Sequence, residues 1–421
     1  MKEIELSSLD MKVYQETLKN GLEIYLIPYD NKQNYFITYA TKYGSDVLEF
    51  ETSDKHFKPP LGIAHYLEHK MFEMESGEDP FTFFSESGTG SNAMTSYRST
   101  KYICYGTKRF DENLRYLLKF VNEPYFTDSN VEKEKGIIAE EIKMYDDLVD
   151  YKTEMKLRQN IYKNNSRKYD IAGTVEDIYK ITKEDLYDSY NSFYTPNNMF
   201  VLIVGNFNVR EAIKIIKEEL ESKEVKELPK IIDPKEPNKV VVKEETIYEA
   251  VEVPKVAIGL KVPRKKIKLS EEELDLYLCM LTNMLFGASS EFRERARVDK
   301  LLNDIYTEWE TTNDFKTFYL FATTIKPNSL VKEINEEFDN ISVSEKAFNR
   351  IKKVWIANEV KIVDNIDRME HNIYDDIISY NKIIDNRVEM IRKMNFKTLN
   401  KLIKEIDFSN RTKLVVLNKN K

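Results

Sequence analysis

Of the four histidines in this chain, two stand four residues apart, at His65 and His69. In an α-helix that spacing puts both imidazoles on one face, a turn apart, where they can converge on one metal ion. Glu68 lies beside His69 at the edge of the same face. Ile63, Leu67, Met71 and Phe72 flank the pair, and their apolar side chains predict a helix seated in a core that holds water back. Histidines in such surroundings need partners. Zinc is therefore a better reading than two solvated surface histidines. The pattern H-x-x-E-H is the inverse of H-E-x-x-H and reaches the same chemistry with the helix direction reversed.

A catalytic zinc needs a third protein ligand and an open fourth position. The acidic stretch Asn130–Tyr145 offers one. At helical spacing Glu134, Ile137, Ile138, Glu141, Tyr145 and Leu148 share one face, predicted to point at the core, while Glu132 and Glu140 turn away with the lysines. A carboxylate on a buried face is costly unless it binds a metal or is hydrogen-bonded. Glu141 is thus the expected third ligand, and Glu134, two turns earlier, is expected to orient a histidine or shuttle a proton. Without the histidine motif the same stretch would also read as a solvated acidic face.

The elements around these residues follow from local pattern. Residues 11–48 read as strands with a turn at Asn20-Gly21, rich in β-branched and aromatic residues. A polar loop over 49–60, with His56 at the surface, leads to the motif helix, and a short Phe-rich helix is expected over 79–87. Gly88 and Gly90 open a strand pair, Asn92–Tyr97 and Tyr102–Gly106. From spacing alone its first strand reads equally as a sheet edge open to an extended peptide and as one covered by the rest of the chain. An amphipathic helix over 111–124 precedes the Glu141 helix, whose expected cap is Asp128-Ser129-Asn130. Helices fill much of 151–193. A buried strand follows at Met199–Gly205 and a helix at Val209–Leu220.

The charged, proline-bearing stretch 222–238 is the expected linker between an N-terminal domain, 1–221, and a C-terminal one, 239–421. Strands at 239–262, a helix over 271–286, a strand near 317–325, further helices and a last strand at Lys413–Leu417 repeat the plan of the first half. The helix at 271–286 holds the place of the motif helix but has no histidine. His371 is expected at the surface.

Length and composition agree with two domains: 421 residues exceed one ordinary core. The net charge of −8, with acids and bases interspersed, argues against a nucleic-acid groove. No apolar run is long enough to span a membrane, and the start does not read as a secretory signal. Cys104 and Cys279 are expected as buried free thiols in a reducing cytoplasm.

The combination His65-x-x-Glu68-His69, then Glu134 and Glu141, resembles the M16 (pitrilysin/insulysin) zinc peptidases. More narrowly, it resembles the two-domain, YmfH-like bacterial members close to the processing peptidases. Further matching runs are Asn20-Gly21-Leu22, Gly90 to Ser96, Glu134 to Ile138, Glu141 to Asp147, Ala172-Gly173-Thr174 and Tyr194 to Met199. The resemblance implies an α+β fold of two similar halves, each a mainly antiparallel sheet with helices packed on one face. It implies a zinc metalloendopeptidase: His65, His69 and Glu141 hold Zn2+, and Glu68 takes a proton from the attacking water and returns it to the leaving amine. It also implies that Asn92 and Ala93, on the edge strand, bind the backbone of a peptide substrate. Members enclose unfolded segments in a chamber between two half-shells, so a dimer is expected, either of identical chains or with a related chain lacking the zinc motif.

Relatives carry in the second half an Arg followed seven residues later by a Tyr. Arg297 matches the first, but Asp304 stands at the second, with Tyr306 out of register. The competing reading is a non-catalytic peptide-binding or structural subunit, a role some relatives fill after losing a motif that is intact here. Nothing in the sequence favours a non-peptide substrate.

Overall fold

Alternating apolar residues build the first sheet. In a computed structural model describing residues 1–6, 11–264 and 268–420, its strands are β1 (Lys2–Leu6), β2 (Met11–Thr17), β3 (Glu23–Pro28), β4 (Tyr35–Thr41), β7 (Gly90–Thr95), β8 (Thr100–Gly106) and β9 (Met199–Gly205). They lie in the order β1-β2-β3-β9-β4-β8-β7. All neighbours are antiparallel except β3 and β9. Two-residue strands β5 (Phe50–Glu51) and β6 (His56–Phe57), inside the expected loop, form a separate small sheet with β10 (Lys230–Ile231) from the expected linker. Strand β1 was not foreseen: its alternation is mostly of charged residues, and pairing with β2 is what defines it.

The period of two sends side chains of β4 and β9 to opposite faces. Tyr35, Ile37, Tyr39, Val201 and Ile203 meet one core. That core is completed by α1 (Ile63–Lys70), α2 (Pro80–Glu86), α3 (Phe110–Val121), α4 (Asp128–Asp146), α6 (Val175–Ile178), α7 (Lys183–Phe193) and α8 (Val209–Leu220). Phe36, Ala40, Phe200, Leu202 and Val204 point the other way, onto Met369, Ile373 and Ile377 of α13 (Ile366–Tyr380). The expected α+β plan is present, with one additional helix on the back of the sheet.

The second sheet runs β11 (Glu244–Glu249), β15 (Arg411–Asn418), β12 (Lys255–Pro263), β14 (Phe315–Thr323), β13 (Asp304–Thr311). One face packs on α9 (Glu271–Phe286), α10 (Glu291–Val298), α11 (Pro327–Asp339), α12 (Glu345–Val360), α14 (Arg387–Lys393) and α15 (Phe396–Glu405). The other face, through Ala257, Tyr319 and Leu414, takes Leu157 and Ile161 of α5 (Val149–Ile161). Each sheet is thus backed by one helix drawn from the other half of the sequence. The described residues of 1–144, 170–233 and 361–386 form one compact unit, and those of 145–169, 234–360 and 387–420 the other. These units do not coincide with a division at 222–238, because a sheet with two apolar faces needs a cover on both, and hydrophobic pattern does not say which helix supplies it.

Charged anchors reinforce the second unit. Glu236, inside the expected linker, accepts the amides of Lys163 (3.0 Å), Asn164 (2.6 Å) and Asn165 (2.8 Å) and pairs with the buried Lys261 at 2.5 Å. Glu310 of β13 takes Arg158 of α5 at 2.8 Å and Arg167 at 2.5 Å. Burial alone would raise the Glu310 pKa, but Arg167 and Arg158 pull it from the usual 4.5 to about 2. Replacing Glu310 with glutamine removes the buried carboxylate that Arg158 and Arg167 share, although Arg158 keeps its pair with Glu154 at 3.0 Å. The expected cost is about 3–5 kcal/mol, measurable by urea unfolding at pH 7. Because the folded pKa is depressed, this contribution is complete above pH 4.5 and is lost as pH falls toward 2. The gap between wild type and Glu310→Gln should therefore narrow over that interval.

Candidate active site

Helix α1 begins where two backbones touch. Gly62, at φ 84°, and Gly173, at φ 76°, both adopt left-handed conformations. A Cβ on Gly62 would lie 2.2 Å from the Ala172 carbonyl oxygen, and one on Gly173 would lie 2.6 Å from that of Leu61. The loop at 170–174 therefore presses directly on the start of the motif helix, a contact that only glycine permits. Ile63, Leu67 and Met71 are buried as expected. Lys70 is fully buried and pairs with Glu73, and the Tyr66 hydroxyl donates to the Val131 carbonyl, tying α1 to α4.

Helix α4 starts at Asp128, within the expected cap, and the capping side chain is one residue earlier, at Thr127. The Thr127 hydroxyl accepts the Asn130 amide at 3.1 Å while Asn130 Oδ1 accepts the Thr127 amide at 2.8 Å. The face assignment also needs correction. The buried stripe runs through Val131, Ile138 and Ile142, whereas Ile137 (51 % exposed) and Leu148 (50 % exposed) are open to solvent. Glu134 and Glu141 lie on the seam between the two stripes. Seven-residue spacing placed the glutamates on one line, but sequence could not say on which side of that line the core begins.

Across the seam the side chains converge. His65 Nε2 is 3.8 Å from one Glu141 carboxylate oxygen, and His69 Nε2 is 3.4 Å from the other. The imidazole centroids are 4.6 Å apart. Glu134 sits behind His69, with Nδ1 to Oε1 at 3.1 Å. That contact puts a proton on His69 Nδ1 and aims Nε2 toward Glu141. Burial, with His69 beside it, pushes the His65 pKa down to about 4, so His65 is a neutral imidazole at pH 7. For His69 burial works downward, but the hydrogen bonds to Glu134 and Glu141 outweigh it and raise its pKa to about 9. Two carboxylates that hold a proton there would hold a metal cation instead. One ligand atom each from His65, His69 and Glu141 lies within 4.8 Å of the others. A set of two imidazoles and one carboxylate fits zinc with an open position. Glu134→Gln is expected to lower zinc affinity by roughly 10- to 100-fold, read by competition with a chromophoric chelator.

Glu68 is largely buried, and burial raises its carboxyl pKa, with Thr95 and His69 opposing. The Thr95 hydroxyl donates to Glu68 Oε2 at 2.6 Å. An open cleft of about 760 Å³ runs past Glu68, His69 and Glu134 to Asn92 and Ala93, with Phe72 among its lining residues. Asn92 and Ala93 lie on β7, the last strand in the sheet order. Sequence reasoning passed over Thr95 and Tyr66. Thr95 shares a face of β7 with Ala93, a signal that was present in the alternation, but its carboxylate partner is set by tertiary contact.

Arg297, Asp304 and Tyr306 belong to the second unit. Arg297 is exposed on α10 and paired with Glu294 at 2.7 Å. Asp304 opens β13, and the exposed Tyr306 donates to Glu308 at 2.9 Å. His56 and His371 are both exposed, as expected, near Glu49 and Asp375 respectively. Cys104 is buried, but Cys279 is exposed, against expectation, because α9 turns that position outward. Among the described residues no helix is long and apolar enough to cross a membrane.

Fold and site together define the zinc-protease lineage. Residues 57–175 match the insulinase family (peptidase family M16), and residues 180–354 match the M16 inactive domain. An uncharacterized zinc protease of Bacillus subtilis (strain 168), YmfH, is 38% identical over 347 residues, spanning 80% of this chain and 79% of that one. The solved structure of an M16-like peptidase from Alicyclobacillus acidocaldarius has a TM-score of 0.92 at 29% identity, covering 98% of this chain and 99% of that one. A Helicobacter pylori protein named non-peptidase homolog YmxG is 24% identical over 326 residues, covering 74% of this chain and 73% of its own. The chain belongs to peptidase family M16.

Proposed function

We propose that this chain is a zinc-dependent endopeptidase that hydrolyses peptides or unfolded segments. The observation that carries the reading is the convergence of His65, His69 and Glu141 beside a buried carboxylate, Glu68, at the end of an open cleft. His65, His69 and Glu141 would hold Zn2+, with Glu134 fixing the His69 ring. Zinc, when bound, supplies Lewis-acid polarisation of a water or a peptide carbonyl. Glu68 accepts the proton of the attacking water and delivers it to the leaving amine nitrogen. Asn92 and Ala93 present the unpaired side of β7 to the substrate backbone, which adds as a further strand. Digestion of a mixed peptide pool tests the reading. Cleavage should disappear with chelator and return with stoichiometric zinc, and a zinc-loaded protein that cleaves nothing, alone or mixed with a related chain that lacks the zinc motif, would overturn it.

The non-catalytic alternative draws support from the non-peptidase relative of similar extent. Against it stands the complete constellation of His65, Glu68, His69, Glu134 and Glu141. On the same footing we place the protein in the cytoplasm, and as one half-shell of a dimeric chamber. Its Arg297 lacks a tyrosine seven residues on, where Asp304 stands, so a homodimer would repeat the same deficit. Full activity is therefore expected only with a related chain that lacks the zinc motif and carries the intact pair. Assay alone and after mixing with such a paralogue decides it, and equal activity in both would exclude the heterodimer.

A further inference from the structure

We infer that Thr95 is a positioning residue for Glu68, selecting which carboxylate oxygen handles the proton. The inference rests on Glu68 being the base of a peptidase. Thr95 is buried at the end of β7, and its hydroxyl donates to Glu68 Oε2 at 2.6 Å, the short distance of a charge-assisted bond. Its other neighbour is Thr100 Oγ1 at 3.4 Å, whose own proton goes to the Tyr43 carbonyl at 3.0 Å. Thr100 can therefore only accept, and at 2.6 against 3.4 Å the Thr95 proton belongs to Glu68. Because the bond is donated by Thr95, it persists whether or not Glu68 is protonated. With Oε2 so engaged, the proton is taken and released on Oε1. As water attacks the peptide carbonyl carbon, its O–H bond breaks and the proton moves to Oε1. As the C–N bond breaks, that proton passes to the departing nitrogen.

The placement has a second consequence. Ala93 and Thr95 share one face of β7, two residues apart, and β7 is a terminal strand of the sheet, its outer edge unpaired among the described residues. The strand that would receive a peptide backbone thus also carries the group that orients the base. Ordering of β7 by substrate and orientation of Glu68 become one event. Thr95 is a residue through which occupancy of the edge reaches the proton-transfer group.

Thr95→Val removes the hydroxyl and keeps the shape. The expected result is a fall in kcat of roughly 10- to 100-fold, with KM within about twofold and zinc content unchanged. Thr95→Ser should restore most of the rate. A second readout does not depend on activity. The carboxylate antisymmetric stretch of Glu68, isolated by subtracting the infrared spectrum of Glu68→Gln, should shift to higher frequency in Thr95→Val and return in Thr95→Ser. If Thr95→Val does not fold, Thr95→Ala and Thr95→Cys carry the same comparison against Thr95→Ser. An unshifted band, an unchanged kcat, a loss confined to KM or zinc content, or no rescue by serine would each overturn the role. If the wild-type chain cleaves no peptide alone or with a related chain that lacks the zinc motif, the peptidase reading fails, and the infrared band still decides whether Thr95 holds Glu68.

Discussion

Glu68→Gln is expected to lower turnover by roughly two to four orders of magnitude while zinc stays bound. The amide matches the carboxylate in shape and can still accept the Thr95 hydroxyl on its oxygen, so the packing around α1 should survive. What it loses is an oxygen able to take a proton from water. The discriminating measurement pairs kcat with zinc stoichiometry on the same preparation. Low turnover at full zinc content isolates the base. Normal turnover would transfer the role to another carboxylate, and Glu134 is the nearest alternative. That group is already committed to His69 at 3.1 Å, and its pKa is lowered by that contact against the opposing pull of burial, which makes it a poor proton acceptor.

Removal of a ligand should have the other large effect. Purified wild-type protein is expected to hold about one zinc per chain. His69→Ala or Glu141→Ala should weaken binding by roughly two orders of magnitude or more, since disturbing only the partner of a ligating histidine costs about 10- to 100-fold. Thermal unfolding gives an independent view. A ligand present at about 1,000 times its Kd stabilises the native state by roughly 4 kcal/mol, and a site about 100-fold weaker gains only about 1.4 kcal/mol at the same concentration, so zinc should raise the wild-type melting temperature far more than that of the variants. The effect is specific to geometry: Glu140→Ala, one residue from Glu141 but exposed and paired with Lys143 at 2.7 Å, should bind zinc normally. Equal zinc affinity for Glu141→Ala and wild type would remove Glu141 from the ligand set.

Much of the site could be read along the chain because its groups obey local periodicity. His65, Glu68 and His69 fall within one helix turn or so, and Glu134 and Glu141 recur at seven, so each helix orders its own polar groups before any tertiary contact exists. The same holds for β4, β9, α8 and α9, whose apolar spacing marks strand or helix without reference to neighbours. The glycines before β7 marked the start of its strand pair, but spacing alone left open whether its edge is covered.

Relations between distant elements were not written this way. Alternation in β4 shows that both faces are apolar, yet not that α13, more than three hundred residues on, covers the second of them. Nor does it show that α5 backs the other sheet and that Arg158 fastens it to Glu310. The same blindness put Ile137 in the core, since a helix period fixes angles around the axis but not the direction of the interior. Thr95 is the sharpest case. Its hydroxyl is an ordinary strand residue until the pairing of β7 with β8 and the seating of α1 bring it to 2.6 Å from Glu68. Sequence by itself determined which groups could do the chemistry, because their spacing is a property of the local backbone. Tertiary structure alone decided which groups hold them in place, because hydrogen bonds and packing between separate elements depend on distances that no local period encodes.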